Sequence, residues 1–193
     1  MNQKRCGWVK LSDADYVAYH DNEWGRPLHD DRALFELFSL ETQAAGLSWL
    51  TVLKKREGYR KAFEGFDLHA VAAYDEARID AIVASGLVIK SKPKITAIVE
   101  NAKLFVRIVQ EFGSIDRYFW NAVGGSTIVN DVPDYATAPC HSTASDALTK
   151  DLKKRGFKFV GTVTVYAFMQ AAGLVNDHEN DCFCKHELRG LLG

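Results

Sequence analysis

The chain has no run of apolar residues long enough to cross a bilayer, and no basic-then-apolar leader at its start. A cytoplasmic protein with no membrane partner is the expectation. Cysteine is scarce: only Cys6, Cys140, Cys182 and Cys184 occur among 193 residues. In a reducing compartment these are expected as free thiols or metal ligands rather than disulfides. A surplus of one charge is missing too. Against 24 Lys and Arg stand 25 Asp and Glu, a net charge of -1, so a nucleic-acid site has to be a local basic patch. Internal repeats, low-complexity tracts and a Gly-rich phosphate loop are absent. So is the zinc-deaminase pattern, because Pro139-Cys140 is followed by His141 and no cysteine stands three positions further on.

What is present is 47% hydrophobic and 25% charged, enough for the packed core of one domain. The apolar spacing is helical almost throughout, and the expected fold class is all-α. Ser12 or Asp13 caps a short helix carrying Tyr16 and Tyr19, and Gly25 and Pro27 break the segment after it. Asp30 or Asp31 caps the central helix. At ~100° per residue Leu34, Leu37, Phe38, Glu41 and Ala45 share one face of it, leading to Gly46, Leu47 and Trp49. One further helix is expected over Leu50 to Phe63. Asp75 to Ser85, stopped by Gly86, and a helix restarted at Pro93 and running to Val109 make two helices joined by a hairpin. Ile128 to Ser142 reads as irregular, and Thr143 or Ser145 caps a helix closed by Gly156. Phe157, Phe159, Val163 and Val165 alternate like a strand. A lone strand has no partner, however, and Val165, Phe168, Met169 and Ala172 fit a helix ended by Gly173.

Glu41 lies in the middle of an apolar stripe, where a bare carboxylate is costly. It is either a core acid satisfied by a neighbouring donor or an acid aimed at a ligand. Trp8, Tyr16, Tyr19, Trp24 and Trp49 supply aromatic surface around it. Cys6 and His20 near one end, with His178 and Cys182 near the other, can form a closed tetrahedral zinc site. Cys184 and His186 compete as ligands, and buried structural thiols are the alternative. Three basic clusters stand out: Lys54-Lys55-Arg56; Lys90, Lys92 and Lys94; and Lys150, Lys153, Lys154, Arg155 and Lys158. The middle one lies at the hairpin, where free N–H groups opening a helix can hold a phosphate, although each cluster also suits an ordinary solvated face.

Longer stretches carry a resemblance. Cys6-Gly7-Trp8, Tyr19 to Gly25, Leu40-Glu41 with Gln43 to Trp49, Thr51 to Arg56, Lys153 to Gly161 and Gly173 to His178 together resemble the bacterial 3-methyladenine DNA glycosylase I family. The resemblance implies a helix–hairpin–helix glycosylase fold, with a single domain over 1–186, the motif at about 75–109, and a tail over 187–193. It implies termini 1–25 and 174–186 pinned by structural zinc on Cys6, His20, His178 and Cys182. It also implies a base pocket of Trp8, Tyr16, Tyr19, Glu41 and Trp49, with Glu41 the acid that acts. Double-stranded DNA containing 3-methyladenine is the implied partner and free 3-methyladenine the product. Leu47 is the candidate wedge, Gln43 contacts the gap it leaves, and Lys90, Lys92, Lys94 and Lys154 grip phosphates. No lysine stands out as a Schiff-base nucleophile, so a monofunctional, monomeric enzyme is expected. The alternatives are a non-catalytic nucleic-acid or nucleotide-binding zinc module, a carbohydrate hydrolase pairing Glu41 with Glu23 or Asp21, and a zinc-stabilised scaffold without ligand.

Overall fold

The computed structural model describes residues 3–191. Its helices are α1 (Ala14–Asn22), α2 (Asp31–Gln43), α3 (Trp49–Leu53), α4 (Arg56–Ala62), α5 (Leu68–Ala72), α6 (Glu76–Ala84), α7 (Lys92–Phe112), α8 (Ile115–Asn121), α9 (Thr143–Arg155), α10 (Thr162–Ala171) and α11 (Phe183–Leu191). The all-α expectation needs one addition. Ile128–Val129 (β1) pairs in parallel with Val175–Asn176 (β2). This ladder joins a stretch read as irregular to the segment after Gly173, a tertiary pairing that no local pattern announces.

Caps set most helix starts. Asp13 accepts from Tyr16 N to open α1, and Asp30 accepts from Ala33 N to open α2. Ser142, rather than Thr143 or Ser145, caps α9 in a capping box with Ser145. The stretch over Leu50 to Phe63 is two helices, not one. Ser48 caps α3, and the chain turns at Lys54 and Lys55 before α4 begins. No breaker marks that turn, and Gly58 sits inside α4 for another reason: a Cβ there would lie 2.1 Å from the Leu87 carbonyl oxygen. Helix α4 therefore rests directly on the hairpin between α6 and α7. Residues 157–160 are neither strand nor helix, and α10 starts at Thr162. Of the expected tail, residues 187–191 continue α11, and 192–193 lie outside the described residues, as do residues 1–2 of the expected domain.

The main core gathers Phe35 and Phe38 of α2, Phe105 of α7, Phe119 of α8 and Phe168 of α10. Phe38 meets Phe105, Phe119, Phe157 and Phe168 at centroid distances of 5.1–5.7 Å, within the range of edge and tilted aromatic packing. A second cluster forms where the two ends of the chain meet: Cys6, Val9, Tyr19, Trp24, Leu53, Ala171, Cys182 and Cys184. Helix α2 packs on α7, α8 and α10, and its last turn reaches the seam between the clusters.

Candidate active site and metal cluster

At that seam lies a cavity of about 120 Å³ lined by Trp8, Tyr16, Tyr19, Trp24, Glu41, Trp49, Tyr135, Ala167 and Gln170. Helix α1 supplies the two tyrosines at i and i+3, on one side of the helix. Helix α2 carries Glu41, α3 begins with Trp49, and Trp8 comes from the turn after Cys6. The rings form one mutually supporting wall. Trp8 lies 5.1 Å from Tyr16, 5.1 Å from Trp24 and 6.0 Å from Tyr135, and Tyr19 lies 5.3 Å from Trp49. The indole N–H groups of Trp8 and Trp49 are buried with no partner among the described residues.

Glu41 is 7% exposed. Among the described residues its carboxylate has neither a hydrogen bond nor an ion pair. Burial raises its carboxyl to about 8. The core-acid reading required a satisfying donor, and the structure provides none. Burial also raises the phenols of Tyr16, Tyr19 and Tyr135, which keeps them neutral. The site thus presents a poorly solvated acid beside aromatic faces, an arrangement that suits a flat cation with N–H donors on its edge.

Trp24, Tyr135, Ala167 and Gln170 are lining residues beyond the five expected. Trp24 stood within the aromatic supply, and Gln170 is a polar residue on an otherwise apolar stripe, the same signal Glu41 gave. Nothing local marks Tyr135. A buried acid places it: Glu179 Oε1 accepts from Tyr135 N at 2.8 Å and from Gly7 N at 3.1 Å, anchoring the backbone of Tyr135 and of the residue before Trp8. A larger cavity of about 310 Å³ lies behind Tyr19 and Trp49. Its Arg56 and Arg60 are already paired with Glu23 and Glu36, so it offers no unsatisfied acid.

The four expected ligands come together. Donor atoms of Cys6, His20, His178 and Cys182 all lie within 4.8 Å of one another, and all four residues are buried. Cys6 Sγ is 3.4 Å from His178 Nδ1, and Cys182 Sγ is 3.6 Å from His178 Nδ1 and 3.5 Å from His20 Nε2. A tetrahedral ion with sulfur at ~2.3 Å and nitrogen at ~2.0–2.1 Å separates S from N by roughly 3.6 Å. The set fits such an ion and could hold a metal. Each ring has an outer partner that fixes it: His20 Nδ1 meets Asp21 Oδ1 at 2.8 Å, and His178 Nε2 meets the Trp24 carbonyl at 3.0 Å. The hydrogen bond with Cys182 raises the Cys6 thiol, while bonds from Cys184 and Cys6 lower the Cys182 thiol, so the sulfurs share protons that a cation would displace. Cys184 borders Cys182 but groups as a possible ligand only with Asp21 and the other ring nitrogen of His20, and His186 is exposed outside the cluster. Gly25 borders it with φ +77°, and a Cβ there would lie 2.8 Å from His178 Nε2.

The residues expected to touch DNA divide into two groups. Leu47, 44% exposed, and Leu87, 41% exposed, project from the turn after α2 and from the hairpin. Lys90, Lys154 and Lys158 are exposed. Gln43 faces inward instead. It is fully buried, with Nε2 donating to Lys94 O at 3.0 Å and Oε1 accepting from Tyr59 OH at 3.2 Å, so it has no free group for DNA. Lys94 is likewise occupied, donating to the carbonyls of Gln43 and Ala45 at 2.7 and 2.6 Å and closing the end of α2. Lys92 pairs with Glu76 and Asp80, Lys54 with Asp13, and Arg155 with Glu111 and Asp151. These acids lie far off in sequence, or on neighbouring helix turns, and counting basic residues does not show them. The inward residues brace the surface rather than form it. Tyr59 OH also accepts from Ile89 N at 3.2 Å, so one side chain joins the end of α2 to the hairpin.

Comparison with known proteins places this geometry. A family model described as methyladenine glycosylase matches residues 8–185. DNA-3-methyladenine glycosylase 1 of Escherichia coli is 48% identical over 181 residues, covering 94% of this chain and 96% of that one. DNA-3-methyladenine glycosylase of Haemophilus influenzae is 48% identical, covering 94% and 97%. A solved structure of a tyrosine-to-phenylalanine variant of 3-methyladenine DNA glycosylase I, in complex with 3-methyladenine, superposes with a TM-score of 0.90 at 39% identity, covering 94% of this chain and 97% of that one. From its aromatic cavity, its helical frame and these likenesses, the chain belongs to the methyladenine glycosylase family.

Proposed function

We propose that this protein is a monofunctional DNA-3-methyladenine glycosylase that flips the damaged nucleotide out of the duplex and releases the free base by hydrolysis. The observation that carries the reading is Glu41, buried and unpartnered in a cavity walled by six aromatic residues. Methylation at N3 leaves the adenine positively charged. When the glycosidic bond breaks, its electron pair neutralises the ring, water bonds to the sugar carbon, and the water's proton passes to solvent. The base departs neutral without a protonator, so the protein's work is to extract and recognise it. Extraction costs a few kcal/mol. Leu47 fills the gap as the wedge, while Lys90, Lys154 and the N–H groups opening α7 hold phosphates.

In the pocket the cationic ring gains about 0.5–2 kcal/mol against the faces of Trp49 and of Trp8 or Tyr16. Glu41 accepts from the exocyclic amine, and the charged ring draws its carboxyl down from the raised value of the free protein. Zinc is the cation that suits two thiolates and two imidazoles, and with four protein ligands it has no open position. Its part is to hold residues near 6–24 against those near 178–182. The enzyme acts as a cytoplasmic monomer of one domain.

The test is release of free base from methylated double-stranded DNA. Release of 3-methyladenine without strand cleavage supports the reading. Binding to the DNA with no base released leaves the non-catalytic module in its place.

A further inference from the structure

Gln170 stands on α10, 7% exposed, in the wall of the base cavity. Its amide nitrogen is committed: Nε2 donates to Asp177 Oδ2 at 2.7 Å. Asp177 is fully buried and takes two further bonds, from Tyr166 OH at 2.7 Å and from Asn130 Nδ2 at 2.7 Å. Asn130 Nδ2 also lies 3.2 Å from Tyr166 OH, so the phenol proton points at the carboxylate and not at the asparagine. A carboxylate surrounded by donors accepts, and the glutamine amide cannot turn over without setting its carbonyl against it. Oε1 is therefore the free end of the side chain, and it has no partner among the described residues.

We propose that Gln170 is a specificity-determining residue that reads the 6-position of the flipped purine through its amide oxygen. Asp177 is the positioning residue that fixes the amide in this sense. The inference rests on the glycosylase reading and sharpens it. With Oε1 and the Glu41 carboxylate both accepting, the pocket wall receives the two N–H groups of a 6-amino purine. A 6-oxo purine with the same N3 methylation turns a carbonyl towards those acceptors and is rejected. A buried polar group left facing the wrong partner discriminates strongly where shape alone does not.

The experiment measures release of 3-methyladenine and of 3-methylguanine from the same methylated DNA. It uses the wild type, Gln170→Leu and Asp177→Asn, with metal content and melting temperature recorded for each. Gln170→Leu is expected to slow 3-methyladenine release about tenfold while 3-methylguanine release does not fall, so the ratio drops about tenfold. Asp177→Asn frees the amide to flip and is expected to lower the ratio in the same direction by a smaller factor. A ratio unchanged in Gln170→Leu, with both bases slowed together, overturns the inference and leaves Gln170 as packing. Should Asp177→Asn lose its metal or its fold through its neighbour His178, Gln170→Leu alone decides. A wild type that releases neither base overturns the glycosylase reading instead, so the two failures are distinguishable.

Discussion

Replacing Glu41 with glutamine keeps the outline of the side chain and removes its titration. In the free protein burial raises this carboxyl to about 8. Roughly a tenth of it is then ionised at pH 7 and about a hundredth at pH 6. On the proposed role, in which the ionised form receives the cationic base, kcat/KM should follow that fraction, climbing about tenfold between pH 6 and 7 and levelling above 8. In Glu41→Gln the climb should vanish. At pH 8 the remaining kcat/KM should be lower by roughly 10- to 150-fold, the ~1.5–3 kcal/mol of a hydrogen bond to a charged group. Stability moves the opposite way. The carboxyl titrates near 4.5 when unfolded and near 8 when folded. Between those values the unfolded chain releases a proton that the folded one keeps, so folding stability falls as pH rises through the window, by at most roughly 5 kcal/mol. Glu41→Gln escapes that loss. Its melting temperature should match the wild type near pH 4 and exceed it increasingly up to pH 8. Single-turnover release of 3-methyladenine across pH 6–9, with thermal melts at each pH, checks both halves. A flat wild-type rate profile, or a variant that keeps the slope, refutes the assignment of Glu41.

Cys6→Ala combined with His178→Ala should abolish zinc binding and lower the melting temperature by several degrees, read by metal analysis and calorimetry. An unchanged melt at unchanged metal content would dismiss the zinc clip. Leu47→Ala should slow release from duplex DNA while leaving affinity for free 3-methyladenine intact; equal losses in both would show plain packing. Gly58→Ala forces a Cβ to within 2.1 Å of the Leu87 carbonyl. It should cost about 1–3 kcal/mol in denaturant unfolding and weaken binding to undamaged duplex, because the hairpin has to move.

The order of helices was legible wherever a capping side chain or a first-turn proline met a periodic apolar run, as at Asp30 with Leu34 and Phe38, or at Pro93 with Ile95 and Ile98. The break at Lys54 and Lys55 and the β1–β2 ladder carry no such punctuation, and α5 and α8, though capped by Asp67 and Ser114, are too short for a periodic apolar run. Packing between distant segments decides them. For the site, periodicity raised the question of Glu41 and left both readings open, and the site role came only as what the resemblance implies. The charge pattern misled most. Lys94 and Gln43 look like surface contacts in a list of residues, yet each satisfies the other's backbone carbonyl. Composition records that a charge is present but not which carbonyl lies within its reach.

The turn bearing Trp8 has few contacts of its own making. Gly7 N is held by Glu179, Cys6 Sγ receives Glu179 N, and Lys4 O receives Phe183 N. The stretch from Lys4 to Trp8 therefore waits, during synthesis, for the one around residues 179–183. Until residues around 179–183 have emerged, the Trp8 ring has Tyr16, Tyr19 and Trp24 to rest on, but the backbone that carries it lacks the bonds that fix it beside Tyr135. The closed wall beside Glu41 is in this sense the joint work of two segments far apart along the chain.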